Sequence, residues 1–363
     1  MYVTDLEIKQ FRNLKADALS FCDGVNLIYG DNAQGKTNLI EAIWLFTGCR
    51  SFRSAKDAEC INFDAQKAVL SMDYFGEGRA QSMLLEIENG RKFIHNGIKC
   101  KSASKVVGHF LAVVFSPVHL SLVKSGPYER RRFLNVAISQ LKPNYAVALS
   151  NYNKAVAQRN ILLKDVAYHS ELFDTLGVWE ERIAYYASEI IRQRIGYVGR
   201  LKEFGTEIYS GISKKKEALS LSYFEACPAA GNTKQEIYES MKNLLHAARK
   251  NDILSGFTSV GPHHDDLTIL IDGLSAKSYA SQGQQRSAAL ALKLGEAAVM
   301  KSFTGEQPVA LLDDVMSELD GDRQNYILNH IKNWQVFITC CDPASVKNLK
   351  YGKAFRMKNG SIV

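Results

Sequence analysis

Apolar residues in this chain fall into short continuous runs near both ends and into helical spacing through the middle. Residues 25–29 read as a short buried strand, and the continuous apolar run 309–312 as a buried strand of the parallel kind. Further strand patterns cover residues 6–8, 68–74, 83–87, 111–115, 267–271 and 336–339. Leu39, Ile40, Ile43, Trp44 and Phe46 recur at helical spacing over residues 37–46, and residues 287–300 do the same. The middle reads as long helices over 129–163, 176–210 and 234–249. This pattern predicts one α/β domain assembled from residues 1–123 and 251–363, interrupted at 124–250 by a mostly helical second domain. No internal repeat, low-complexity linker or sustained heptad is present.

The loop between the run at 25–29 and the next helix adds chemistry. Gly30-Asp31-Asn32-Ala33-Gln34-Gly35-Lys36-Thr37 fills the template G-x-x-x-x-G-K-[ST] between a strand and a helix N-terminus. Gly30 and Gly35 let the backbone curl so that its N–H groups point inward, where the helix dipole adds positive potential. A polyphosphate suits that hollow. Lys36 would reach the β and γ phosphates, and the Thr37 hydroxyl would hold Mg²⁺, so the loop predicts ATP-type binding.

Two later segments extend this reading. The run 309–312 ends in Asp313-Asp314, and paired carboxylates at a strand's C-terminal end suit metal binding by Asp313 and water activation by Asp314. A solvated turn is the alternative. Ser281-Gln282-Gly283-Gln284 opens the helix before it, where a serine cap and free N–H groups make a second anion site.

Composition fits a folded protein, with 46% hydrophobic and 23% charged residues. No apolar stretch approaches the ~18 residues needed to span a membrane, and residues 1–5 carry no export signal, so a cytoplasmic protein is expected. Seven cysteines without C-x-x-C spacing suggest neither a zinc site nor a disulfide framework. Net charge is +7, and residues 124–250 hold 20 Lys and Arg against 13 Asp and Glu, which accounts for the whole excess. A polyanionic partner, most naturally nucleic acid, explains that asymmetry. Arg53, Lys56, Arg130-Arg131-Arg132 and Lys214-Lys215-Lys216 are the candidate DNA contacts. The basic runs could instead be solvated helix faces, and Arg130 to Arg132 could equally brace the helical segment against the core.

Phosphate loop, Ser-x-Gly-Gln element, Asp-Asp strand end and Ser317-Glu318-Leu319-Asp320, in that order, resemble the ABC-type ATPases of the SMC class. Phe11-Arg12-Asn13-Leu14, Gly126-Pro127, Gly261-Pro262-His263 and residues 311–320 are more similar still to the RecF family of bacterial DNA replication and repair proteins. The resemblance implies an ABC-type ATPase head in which Ser281 and Gly283 of one subunit face the γ phosphate on the other, making ATP the glue of a homodimer. It further implies Arg12 and Asp320 near nucleotide, ATP-dependent, sequence-independent DNA binding, slow hydrolysis, SOS-linked repair, and cooperation with RecR and RecO mediators at single-strand gaps. A chromosome-structure ATPase head and a transporter ATPase are the rival classes. Departures from the family pattern stand at Val118-His119 and at His264, and Thr339 or Asp342 is the candidate γ-phosphate sensor.

Overall fold

The computed structural model describes residues 1–15, 17–166, 169, 172–226, 228, 233–342 and 352–363. Elements are numbered in chain order. The first sheet is antiparallel, in the order β2-β1-β4-β5-β6-β7, from β1 (Tyr2–Lys9), β2 (Asp17–Ser20), β4 (Ala68–Gly76), β5 (Arg79–Ile87), β6 (Arg91–His95) and β7 (Ile98–Cys100). A second sheet draws on both ends of the chain: β3 (Val25–Tyr29), β8 (Ala112–Phe115), β12 (Val309–Asp313), β13 (Val336–Cys340), β14 (Lys353–Lys358) and β15 (Ser361–Ile362). Its order is β15-β14-β3-β13-β12-β8, parallel from β14 to β8.

That parallel sheet separates two hydrophobic cores. Along β12 and β13 successive residues point to opposite faces, so Leu312 and Ile338 join one core while Leu311 and Phe337 join the other. Both faces are covered, which is why these strands read as unbroken apolar runs. One core packs β1, β4 and β5 with helix α1 (Lys36–Leu45). The other holds the helices α2 (Pro117–Leu120), α3 (Pro127–Leu141), α4 (Pro143–Val166), α5 (Thr175–Ile212) and α6 (Lys234–Ser255) together with α7 (Ala276–Tyr279), α8 (Gln282–Thr304) and α9 (Gly321–His330).

Long helices dominate the middle segment, as expected, with two differences. The helix expected over 129–163 is two helices, because Lys142 precedes Pro143 and takes an extended conformation (φ −135°, ψ 94°). Residues 219–224 form a strand, β9 (Leu219–Phe224), which pairs antiparallel with β10 (Asp266–Ile271) and, through it, joins β11 (Leu274–Ser275). Its alternation was present in Leu219, Leu221 and Tyr223 but was hidden between helical stretches.

Helix α5 runs 38 residues, about 57 Å, and packs on both α4 and α8. A buried ion network ties α4, α5 and α6: Arg159 pairs with Asp252 at 2.6 Å and Glu180 at 3.0 Å, and Arg249 reaches Glu180 at 2.7 Å. Because Arg159 and Asp252 are wholly buried, losing either partner would strand a charge, at a cost of ~3–5 kcal/mol.

Candidate nucleotide site

The phosphate loop leaves β3 and enters α1 as its sequence implies. Gly30 has φ 148° and lies against the chain of β14, so a Cβ there would strike the Met357 carbonyl oxygen. Gly35, the N-cap of α1, has φ 111°, and its missing Cβ leaves room for Leu14. Lys36 is buried; its Nζ donates to the carbonyls of Gly30 (2.6 Å) and Asp31 (3.0 Å) and lies 3.7 Å from Cys341 Sγ. The ammonium thus curls back over the loop it serves. Asn32 Oδ1 accepts from Cys341 Sγ at 3.0 Å. Gln34 is clamped by the turn after β14: its Oε1 accepts from Asn359 N–H at 2.6 Å and its carbonyl from Gly360 N–H at 3.0 Å. Asp31 and Ala33 stand exposed on the outer curve, Ala33 at φ 64°.

Thr37 and Asp313, 276 positions apart, meet where α1 starts and β12 ends: Thr37 Oγ1 donates to Asp313 Oδ1 at 2.9 Å. The same carboxylate oxygen accepts from Thr339 Oγ1 on β13, also at 2.9 Å. Thr339 Oγ1 in turn accepts from Asp314 N–H at 2.9 Å, holding Asp314 at φ 50°. Burial pushes the Asp313 carboxyl above the usual carboxylate range, and Asp314 adds to that; the bonds from Thr37 and Thr339 pull the other way. A hydroxyl and a buried carboxylate are hard oxygen donors, so this pair fits Mg²⁺. Thr339 is wholly buried with its hydroxyl committed on both sides, so it positions the carboxylates and leaves no donor to sense a γ phosphate. Cys341 is the residue of the turn after β13 that touches the loop, a place fixed by the register of Cys340 opposite Tyr29.

Arg12 behaves differently from the expectation. Its guanidinium forks onto the buried carboxylate of Glu41 on α1 (2.6 and 2.9 Å) and reaches the Glu59 carbonyl at 3.0 Å. Glu41 also accepts from the Ser51 hydroxyl, and Arg53 bonds Asn38 Oδ1 at 2.8 Å beside it. Arg53 therefore borders the phosphate-loop helix, and its charge acts on Asp313. Glu41, which anchors both arginines, was missed in the sequence because it sits inside an apolar helical stretch with no motif of its own.

The second glycine element is a capped helix start. Ser281 Oγ accepts from Gln284 N–H at 3.2 Å, and Gln284 Oε1 accepts from Ser281 N–H at 2.7 Å, a reciprocal capping box. The hollow before it is walled by residues of 212–217, by Ser281, Gly283, Gln284 and Ser287, and by Arg323, with no phosphate-loop residue among them. Asp320 caps α9 and pairs with Arg323, whose guanidinium also donates to Gly283 O (2.7 Å) and Ser287 Oγ (2.8 Å). One arginine thus couples residues 317–320 to the glycine element.

The basic residues expected to touch DNA are mostly engaged within the protein. Arg130 is buried, forks onto Asp266 (2.7 and 2.7 Å) and donates to the Ser125 carbonyl at 2.6 Å. Arg131 donates to the Asp265 carbonyl at 2.7 Å and Arg132 to that of Phe52 at 2.7 Å. The run braces α3 against its neighbours, and the DNA role expected of Arg130 is corrected accordingly. Lys214 pairs with Asp322 at 2.8 Å, Lys216 lines the hollow before Ser281, and Lys56 and Lys215 are exposed. His264 lies in a turn with its Nε2 3.3 Å from the Thr258 carbonyl, and His119 bonds Ser116 Oγ at 2.8 Å. Cys227 lies outside the described residues.

A parallel sheet carrying a phosphate loop after β3, with the end of β12, one strand beyond β13, supplying Asp313 to the Thr37 hydroxyl, is the architecture of an ABC-type ATPase head. The model of the RecF/RecN/SMC N-terminal domain matches residues 2–362. The DNA replication and repair protein RecF of Acetivibrio thermocellus is 39% identical over 355 residues, covering 97% of this chain and 96% of its own. A solved structure of the recombination mediator protein RecF with ATP, in the RecFOR pathway, superposes with a TM-score of 0.92 at 38% identity, covering 100% of this chain and 97% of its own. The Smc head domain of Pyrococcus furiosus shares the fold at 17% identity and a TM-score of 0.55. This chain belongs to the RecF family.

Proposed function

We propose that the chain is an ATP-dependent DNA-binding protein of recombinational repair and replication restart, acting in the cytoplasm as an ATP-driven dimer at gaps or junctions. The observation that carries this is the closure of Thr37 onto Asp313 beside Lys36, which supports ATP and Mg²⁺ binding. When bound, Mg²⁺ would neutralise charge on the β and γ phosphates. Lys36 would leave the carbonyls of Gly30 and Asp31 to meet the phosphates, with Gly35 and the loop N–H groups around them. Asp314, held by Thr339, would orient the attacking water. The open hollow before Ser281 and Gly283 supports a site completed across a dimer, with Asp320 nearby.

On this reading hydrolysis is slow and DNA-linked, a release step for a conformational clamp. Residues 1–123 with 251–363 would form the head and 124–250 the arm. DNA contact would be to phosphates and independent of sequence, with the exposed Lys56 and Lys215 the remaining candidates from the basic runs. The solved RecF structure is described in the RecFOR pathway, which supports RecR and RecO as partners, and the curated relative as a DNA replication and repair protein, which favours repair over chromosome-structure or transporter roles.

Size-exclusion light scattering with ATP, with ADP and without nucleotide tests the core of this reading. Wild-type protein should dimerise with ATP, Lys36→Met should not, and Asp314→Asn should form dimers that fail to dissociate. Undiminished ATP-driven dimerisation of Lys36→Met refutes the mechanism.

A further inference from the structure

The turn after α5 lies against the Ser281 element and is pinned on both sides. Lys214 reaches Asp322 at the start of α9, and Lys215 N–H closes onto the Ser210 carbonyl at 2.8 Å. Glu217 accepts from Gln284 Nε2 at 2.8 Å and from the Tyr209 hydroxyl at 2.6 Å, so each of its carboxylate oxygens is engaged. Between these anchors stands Lys216, exposed, on the wall of the hollow before Ser281.

The hollow measures ≈ 360 Å³, many times the ~10–15 Å³ that one water needs on the same measure. Its wall gathers the positive end of the 23-residue helix α8, the Arg323 guanidinium and the Lys216 ammonium. Arg323 spends three of its five N–H donors on Gly283, Ser287 and Asp320. The Lys216 ammonium has no hydrogen-bond or ion-pair partner among the described residues, so it is the cation here with all of its donors to offer. The chemistry calls for an anion.

Resting on the dimer reading above, we infer that Lys216 contacts the terminal phosphate of the ATP held by the partner subunit's phosphate loop, alongside Ser281 and Gly283. Lys216 then serves dimerisation and the choice of ATP over ADP, and the lysine run expected to touch DNA is in part a nucleotide element. A flexible ammonium suits this place, since it can follow a phosphate that arrives only when the dimer closes.

The test measures ATP-driven dimerisation, monomer nucleotide affinity and the salt dependence of DNA binding for wild type, Lys216→Ala and Lys216→Arg. ATPase is also assayed in a mixture of Lys216→Ala with Lys36→Met. Lys216→Ala should bind ATP as a monomer like wild type yet dimerise at least ~10-fold more weakly, a ~1.4 kcal/mol effect, while Lys216→Arg keeps most of the dimer. In the mixture, a dimer of the two variants joins one intact phosphate loop to one intact Lys216, a pairing that neither variant can make with itself. Turnover should rise above the sum of the two variants assayed alone. Wild-type dimers undiminished by Lys216→Ala, or a mixture without recovery, overturn this proposal alone. A shallower salt slope for DNA with dimers intact assigns Lys216 to DNA and overturns it too. Wild type that stays monomeric with ATP overturns the dimer reading and this proposal with it.

Discussion

Replacing Thr339 with valine removes one hydroxyl and changes little else. The side chain is wholly buried in β13, and valine matches its shape and suits a strand. Two bonds disappear: the one to Asp313 Oδ1 and the one from Asp314 N–H, both 2.9 Å. Asp313 keeps Thr37, but the half-buried Asp314 N–H loses its acceptor, at a cost near the lower end of the ~1–3 kcal/mol of an unpaired buried donor. A lost bond to a carboxylate adds ~1.5–3 kcal/mol, and since the two share one hydroxyl the sum is less than additive, giving ~2–4 kcal/mol in all. Thr339→Ser is the control, since it keeps the hydroxyl and gives up one buried methyl, ~1 kcal/mol. Urea unfolding of the three proteins, read at constant m-value, measures the difference. Mg²⁺-dependent ATP binding should weaken in Thr339→Val as well, because Asp313 loses one of two groups that aim it. A valine variant within ~0.5 kcal/mol of wild type, or a serine variant as costly as valine, refutes the positioning role given to this hydroxyl.

Two further outcomes follow from the same geometry. Arg130→Ala should destabilise the protein by ~1.5–3 kcal/mol by removing the fork onto the part-exposed Asp266, while the salt slope of DNA binding stays unchanged; thermal unfolding and DNA titration together check it. Iodoacetamide should alkylate exposed Cys341 well before Cys49 and Cys60, whose thiols burial pushes up to about 11, and ATP should slow Cys341 labelling by filling the site beside Lys36. Mass spectrometry of the labelled peptides reads this directly, and labelling indifferent to saturating ATP would remove Cys341 from the nucleotide's border.

How much of this was legible beforehand varied with how local the signal was. Strands β3, β12 and β13 announced themselves because a parallel strand covered on both faces is apolar at most positions, and the exceptions Asn26, Asp313 and Thr339 are each hydrogen-bonded. Strand β9 did not, since a half-buried edge alternates weakly and lay between long helical patterns. The charge asymmetry of residues 124–250 was real, yet it did not reveal which cations were spent inside the protein. Arg130 lies seven residues from Val123 in the chain, but its partner Asp266 lies 136 residues away, and no local pattern links them.

From its order of residues alone the chain determined the phosphate loop, the Asp-Asp strand end, the capped Ser281 helix and the apolar strands near both ends, because each depends on spacing within one element. Tertiary structure alone decided what those elements face. It set Thr37 on Asp313, committed Thr339 to both aspartates, placed Cys341 against Lys36, turned Arg130 inward and stood Lys216 before Ser281. The physical reason is that periodicity fixes which face of an element is apolar. Hydrogen bonds and charges between distant elements are fixed only when burial has brought those faces together.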